Sequence, residues 1–313
     1  MLRFLWTSPR PRERTLLSES DLKRPLCRIL YLLVFGLLLL GTITALIPFI
    51  WGAMSALKTS REIFTFPPRL WPEPAGRPWQ WQWENYVTAW RRIRFMRYFG
   101  NTLAVIGGVW FFSIVPNALA GYALSKYRFR GHRVLMLLFF STLLVPFQSI
   151  LVPLFLTVQK LPLVGVNLMD SRLLNSWLAV MLPAGVNAFN IFVFKSFFDD
   201  IPNDLLEAAR IDGAGEVRIF AVVIVPLSRS VFAVLTIFAF MGAWNDFLWP
   251  YLVVQDQADY TIMLRLFTFS TQADVPYNVL LAALMLASLP PIALFLVFQR
   301  QIMQGISLTG LKV

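Results

Sequence analysis

Glu207-Ala208-Ala209-Arg210-Ile211-Asp212-Gly213-Ala214, running on to Val225-Pro226, is a polar, glycine-broken stretch between two long apolar runs. Asp199 and Asp200 place negative charge where a helix begins and its free N–H groups point. Pro202 suits a first-turn position. Ile201, Leu205, Ala208 and Ala209 recur on one helical face, with Glu207 and Arg210 projecting elsewhere. Gly213 can take the left-handed conformation that closes such a helix, and Asp212 before it favours a turn. Glu216 to Val225 reads as a second helix, which Pro226 discourages from running on. Two short polar helices joined at a glycine belong on the water side of a bilayer. An ordinary loop, with Glu207 pairing to Arg210 three residues on, fits the spacing equally well.

The flanks explain why a bilayer is invoked. Hydrophobic residues make up 57% of the chain and charged residues 14%, against about 25% charged in a soluble domain. A membrane core needs about 20 mostly apolar helical residues. Six segments qualify: 29–53, 100–124, 133–157, 173–195, 230–254 and 279–299. Asp246 in the fifth is the main ionisable exception. The expectation is an all-α membrane protein: a cytoplasmic tail over 1–27, then one six-helix domain over 28–313. The first apolar run is far longer than the roughly 7–15 residues of a signal-peptide core, so it reads as a retained span.

Lys and Arg beside the spans set the orientation. The tail, the Ser125–Arg133 link, the 199–229 region with its flanks and the C-terminal tail hold most of the 28 basic residues. Both termini and the 199–229 loop are therefore assigned to the cytoplasm. Eight basic residues in the opposite 54–99 loop oppose this count. A surface helix accounts for the last four: Tyr86, Trp90, Ile93 and Met96 share one face, leaving Arg91, Arg92, Arg94 and Arg97 free to reach headgroups.

Composition also excludes. The net charge of +11 belongs to span-flanking residues rather than to a nucleic-acid surface. One cysteine, Cys27, and one histidine, His132, leave no disulfide framework and no Cys- or His-rich metal cluster. A membrane enzyme needs paired acids, an activated nucleophile or metal ligands in one cavity, and the spans supply only Asp246. No G-x-x-x-x-G-K-[ST] nucleotide loop is present.

The 207–226 stretch resembles the Glu-Ala-Ala loop of binding-protein-dependent ABC importer permeases, on Glu207, Ala208, Ala209, Gly213 and Val223-Ile224-Val225-Pro226. Three further stretches are similar to the carbohydrate branch of that family, in its smaller six-span permease. They are Asn101 with Ala120 to Gly131, Trp244-Asn245-Asp246-Phe247-Leu248-Trp249-Pro250, and Phe298-Gln299-Arg300 through Gln304-Gly305 and Thr309-Gly310. Asp246 stands where Glu is commoner.

The resemblance implies a type I importer fold and import of a sugar or sugar-like solute. It implies a second permease, two ATP-binding cassette ATPase subunits and an external solute-binding protein in a bacterial or archaeal plasma (inner) membrane. ATP and Mg sit on the ATPase, so the chain needs no cofactor of its own. Glu207, Ala208, Ala209, Arg210, Asp212, Gly213 and Pro226 become the coupling contact with the ATPase, and Gln304 and Gly305 a C-terminal contact. An amino-acid, phosphonate or ion permease of the same superfamily is the alternative.

Asn245 and Asp246 are pathway or partner candidates because a buried charge is costly; simple solvation at the boundary is the competing reading. Pro116, Pro146, Pro153, Pro183, Pro250 and Pro290-Pro291 read as kinks, with Pro146 and Pro153 alternatively loosening a pathway helix. Gly107-Gly108 reads as close helix packing. Trp71, Trp79, Trp81 and Trp83 suit an interface, and the polar 255–278 segment a docked binding protein.

Overall fold

The computed structural model describes residues 25–160 and 173–309, with side chains described as far as Gln299. Residues 1–24 of the expected tail and the side chains of Gln304 and Gly305 lie outside the described residues. The chain divides into two units, residues 1–54 and 55–313.

The first unit is dominated by helix α1 (Pro25–Ala56), 32 residues with a mean hydropathy of 2.5 over its most apolar window. At 1.5 Å per residue this length exceeds a bilayer core of about 30 Å. Two of its polar side chains bond within the helix: Thr42 and Thr44 hydroxyls donate to the Leu38 and Leu40 carbonyls, both at 2.8 Å. The two threonine hydroxyls of this apolar helix thus face lipid already hydrogen-bonded.

The second unit begins with α2 (Ser60–Ile63), closed by a Thr59–Glu62 capping box. Helix α3 (Glu84–Ile93) ends where Arg94 adopts φ 57°, and α4 (Phe95–Lys126) starts immediately after. This break changes the expected surface helix. Ala89 and Ile93 are buried, packing with Val279, Ala282 and Ala283, whereas Trp90 and Met96 are exposed. Met96 leaves the face shared by Tyr86, Trp90 and Ile93 because the left-handed turn at Arg94 resets the helical phase before it.

Helices α5 (His132–Leu143) and α6 (Phe147–Lys160) meet at 101°. Pro146, lacking an N–H, stops α5 from continuing, so the expected 133–157 span is a bent pair. Helices α7 (Trp177–Met181) and α8 (Ala188–Asp199) are separated by Leu182–Asn187. The expected 173–195 span is therefore broken, at Pro183 and Gly185. The loop then holds α9 (Asn203–Ile211), α10 (Glu216–Ile219), a π-helical turn over Phe220–Ile224 and α11 (Val225–Leu227).

Helix α12 (Arg229–Asn245) leaves the preceding segment at 85°. It stops at Asp246, and α13 (Leu248–Val253) follows. Last come α14 (Ile262–Ser270) and α15 (Tyr277–Thr309). Among the described residues, three helices are long and apolar enough to cross a membrane, or five if each bent pair counts once. The six segments are thus all helical, but only the first, second and sixth are unbroken.

The second unit is assembled around α4. Gly121 lets α8 approach closely: a Cβ there would sit 2.7 Å from the Phe194 Cβ. Small residues serve this purpose in lipid, where packing rather than water drives association. Gly108 likewise faces Met181, whose sulfur would lie 2.2 Å from an added Cβ, while Gly107 meets open space. The packing reading holds for one glycine of the pair. The 255–278 segment is also more structural than its polarity suggests. Ile262, Leu264, Leu266 and Phe269 are buried, and Asn101 Nδ2 donates to the Ala258 and Tyr260 carbonyls at 2.8 and 3.0 Å. Its exposed residues include Gln255 to Gln257 and the tip, Ser270 to Asp274.

Candidate functional site

The 199–229 loop holds the short helix and the glycine turn that the sequence suggests. Pro202 is the residue before α9, and Gly213 takes φ 80°. The Ala214 N–H donates to the Ala209 carbonyl at 2.9 Å and the Gly213 N–H to the Arg210 carbonyl at 3.0 Å. That pair of bonds is a Schellman cap, which satisfies carbonyls the helix would otherwise leave open and requires a left-handed residue at its turn. Ala209 serves this cap, and with Ala214 it is partly buried against the core.

Leu206, not Leu205, is the buried residue of α9. Leu206, Ile219, Ile224 and Ile201 enter one apolar cluster with Ile114, Ala118, Tyr122, Phe194, Phe198 and Leu235. The loop is thereby rooted in the helices behind it. The other side is left open: Leu205 is 47% exposed, Ile211 86% and Val217 83%, and Glu207 and Ala208 are exposed beside them. A notch of about 320 Å³ is found elsewhere in the unit; the one beside these helices, of about 210 Å³, is lined by Ala209, Asp212, Ala214, Arg218, Ile219, Val222 and Val223.

Arg210 pairs with Glu216, Nε to Oε1 at 2.9 Å, and not with Glu207. Glu207 forms no ion pair among the described residues. The Tyr122 hydroxyl donates to Glu216 Oε2 at 2.9 Å. The Arg210 guanidinium, followed by the Tyr127 hydroxyl, holds the Glu216 carboxyl down at about 2. Lys126, at the end of α4, donates to the Ile201 carbonyl at 2.6 Å and to Asn203 Oδ1 at 3.2 Å. One helix end therefore grips both arms of the loop.

Pro226 plays a second part. The Val225 N–H reaches back to the Phe220 carbonyl, widening that turn to a π-helix, and the chain bends only at Ser228. The widened turn lets Pro226 sit inside a helical segment that its ring would otherwise break.

The second arrangement lies in the bundle. A cleft of about 320 Å³ is lined by Val109, Ser113, Asn187, Asn190, Phe238 and Asp246, among others. Asn187, at the start of α8, is presented by the break between α7 and α8. The break is held by Asn117 on α4. Its Nδ2 donates to the Gly185 carbonyl at 2.8 Å, and its Oδ1 accepts the Asn187 N–H at 3.0 Å. A buried helix break leaves backbone groups that apolar surroundings cannot satisfy, and Asn117 satisfies one donor and one acceptor at once. Asp246 ends α12 and its Oδ1 accepts the Trp249 N–H at 3.3 Å. Its neighbour Asn245 does not line the cleft; its Nδ2 is turned to the Met241 carbonyl at 2.9 Å.

The structure thus brings Arg210, Asp212 and Gly213 together with Glu207 and Ala208 in one knuckle, and sends Asp246 to a separate cleft. Sequence reasoning missed Glu216, Tyr122 and Lys126 at the first and Ser113, Asn117, Asn187 and Asn190 at the second. The asparagines left a signal: carboxamides inside apolar runs need partners.

Residues 117–308 match the family described as binding-protein-dependent transport system inner membrane component. The chain belongs to this family. As such a permease component, it is 31% identical over 274 residues to the diacetylchitobiose uptake system permease protein NgcG of Streptomyces coelicolor, covering 87% of this chain and 86% of that one. It is 33% identical to the arabinooligosaccharides transport system permease protein AraQ of Halalkalibacterium halodurans, over 69% of this chain and 74% of the relative. The sn-glycerol-3-phosphate permease protein UgpE of Yersinia enterocolitica is 30% identical, over 86% and 93%. The permease fold matches a crystal structure of a bacterial ABC transporter that imports the acidic polysaccharide alginate, with a TM-score of 0.75, 22% identity and coverage of 91% and 99%.

Proposed function

We propose that this permease is the translocation subunit of an ATP-driven importer for a sugar or sugar-like solute. Its partners are a second permease, two ATPase subunits that carry ATP and Mg, and an external binding protein. The observation that carries this reading is the two-sided knuckle at 199–229. Leu206, Ile219 and Ile224 root it in the bundle, while Leu205, Glu207, Ala208, Ile211 and Val217 face outward. A surface that is apolar, small and carboxylate-bearing, yet rigidly rooted, suits docking by a separate protein that must transmit force. Closure of the ATPases then draws the knuckles together, and the bundle shifts between two openings.

The solute class is supported by the names of NgcG, AraQ and UgpE, and the binding-protein partner by an alginate transporter solved with its periplasmic protein, at a TM-score of 0.63. In this reading residues 28–313 form the permease domain, with the knuckle and both termini on the cytoplasmic side. Gln304 and Gly305 add a second ATPase contact. The ATPase assembled with a Glu207→Lys permease is expected to lose solute-driven uptake while the permease stays at normal membrane levels. Normal uptake at normal levels would overturn the coupling role.

A further inference from the structure

The cleft carries an inference that rests on the translocation reading and narrows it. Its polar groups are one hydroxyl, two carboxamides and one carboxylate, contributed by Ser113, Asn187, Asn190 and Asp246. No Lys, Arg or His lines it. Apolar walls from Val109, Phe189 and Phe238 complete it, the mixture that sugar rings require, with apolar faces for C–H surfaces and paired donors and acceptors for hydroxyls. Three of the four polar residues are tied to one another. Ser113 Oγ accepts from Asn190 Nδ2 at 3.2 Å, and Asn187 Oδ1 accepts the Asn190 N–H at 3.3 Å.

We propose that this cleft is an anion-excluding wall of the solute path, selecting uncharged or amino-bearing saccharides over acidic ones through the Asp246 carboxylate. Asp246 binds the Trp249 N–H through Oδ1, so a purely capping role is the competing explanation. Asparagine separates the two, because it caps a helix start as well as aspartate does but carries no charge. An acidic saccharide brought against an ionised carboxylate pays for like-charge contact with no cation on this wall to offset it. The chemistry sets this chain apart from what the names of its glycerol-phosphate relative and its alginate-importing structural neighbour would suggest.

Gly242 offers a site for the test. It lines the cleft one helical turn before Asp246, and an added Cβ meets nothing within 4 Å. In the assembled transporter, with Cys27→Ser as background, Gly242→Cys is treated with cationic trimethylammonioethyl and anionic sulfonatoethyl methanethiosulfonate. Each rate is divided by that reagent's rate with free 2-mercaptoethanol. The cation is expected to be favoured by about tenfold, the size of attraction plus repulsion across about one helical turn in wet surroundings. Adding Asp246→Asn should bring the ratio to near one. A ratio unchanged by Asp246→Asn, a preference for the anion, or no modification by either reagent would overturn the proposal. The Glu207→Lys uptake assay scores the translocation reading separately, so either can fail while the other stands.

Discussion

The knuckle at 199–229 and the cleft around Asp246 solve opposite problems. The knuckle sits in water, and its order comes from a cap, a positive-φ glycine and an exposed ion pair, with apolar residues left outside. The helix break beside the cleft is buried among apolar helices, and its order comes from a buried asparagine that completes it. Polar groups at the knuckle can exchange partners with water at little cost, whereas those at the helix break cannot. Stability is therefore expected to be sensitive at the break, and transport at the knuckle.

Gly213→Pro separates the two regions most widely. Proline holds φ near −65° and cannot adopt 80°, so α9 loses its cap and direction. Uptake should be abolished while membrane insertion and the unfolding temperature of the bundle change little. The reverse is expected for Asn117→Leu. It orphans the Gly185 carbonyl and the Asn187 N–H at about 1–3 kcal/mol each, so thermal unfolding in detergent should move to clearly lower temperature. Gly121→Ala follows, because an added Cβ 2.7 Å from Phe194 forces α4 and α8 apart, at a cost of about 1–3 kcal/mol. It should lower the same unfolding temperature by less than Asn117→Leu.

Much of the knuckle is legible because its determinants are local. Gly213 follows the last turn of α9, and Pro202 and Asp212 flank that helix in sequence. That Leu206 is buried, and that Ala209 of the expected contact face is partly buried, depends on α4 and α8, distant in sequence. The apolar runs likewise reveal six helical segments, but not that Pro146 and Pro183 divide two of them. A proline inside a run permits either a kink or a break, and packing decides. Asn117 and Asn187 lie 70 residues apart, so no local pattern joins them. The Arg210–Glu216 pair crosses the Gly213 turn and stands in place of the Glu207–Arg210 pair of the ordinary-loop reading, because the turn folds the second helix back toward Arg210.

The smallest effect belongs to that ion pair. Glu216 is held at about 2, below the usual carboxylate range of about 4.3. A depressed carboxylate contributes stability above its unfolded value and loses it as pH falls toward the folded one. Coupled ATPase activity should therefore show no titration from this pair between about pH 5 and 8, and Glu216→Gln should cost only about 0.2–1 kcal/mol in an exposed setting. A large loss of knuckle order at neutral pH in Glu216→Gln would show that the pair, not the cap and the buried leucine, holds the loop.

Sidedness of Glu207 decides whether the knuckle receives force from an internal ATPase. With Cys27→Ser as background, Glu207→Cys is exposed to a membrane-impermeant maleimide in intact cells and in inside-out vesicles. Labelling is expected only in the vesicles, and it should fall when the ATPase subunits are bound. Labelling of intact cells from outside would contradict the coupling assignment and the orientation of the whole chain.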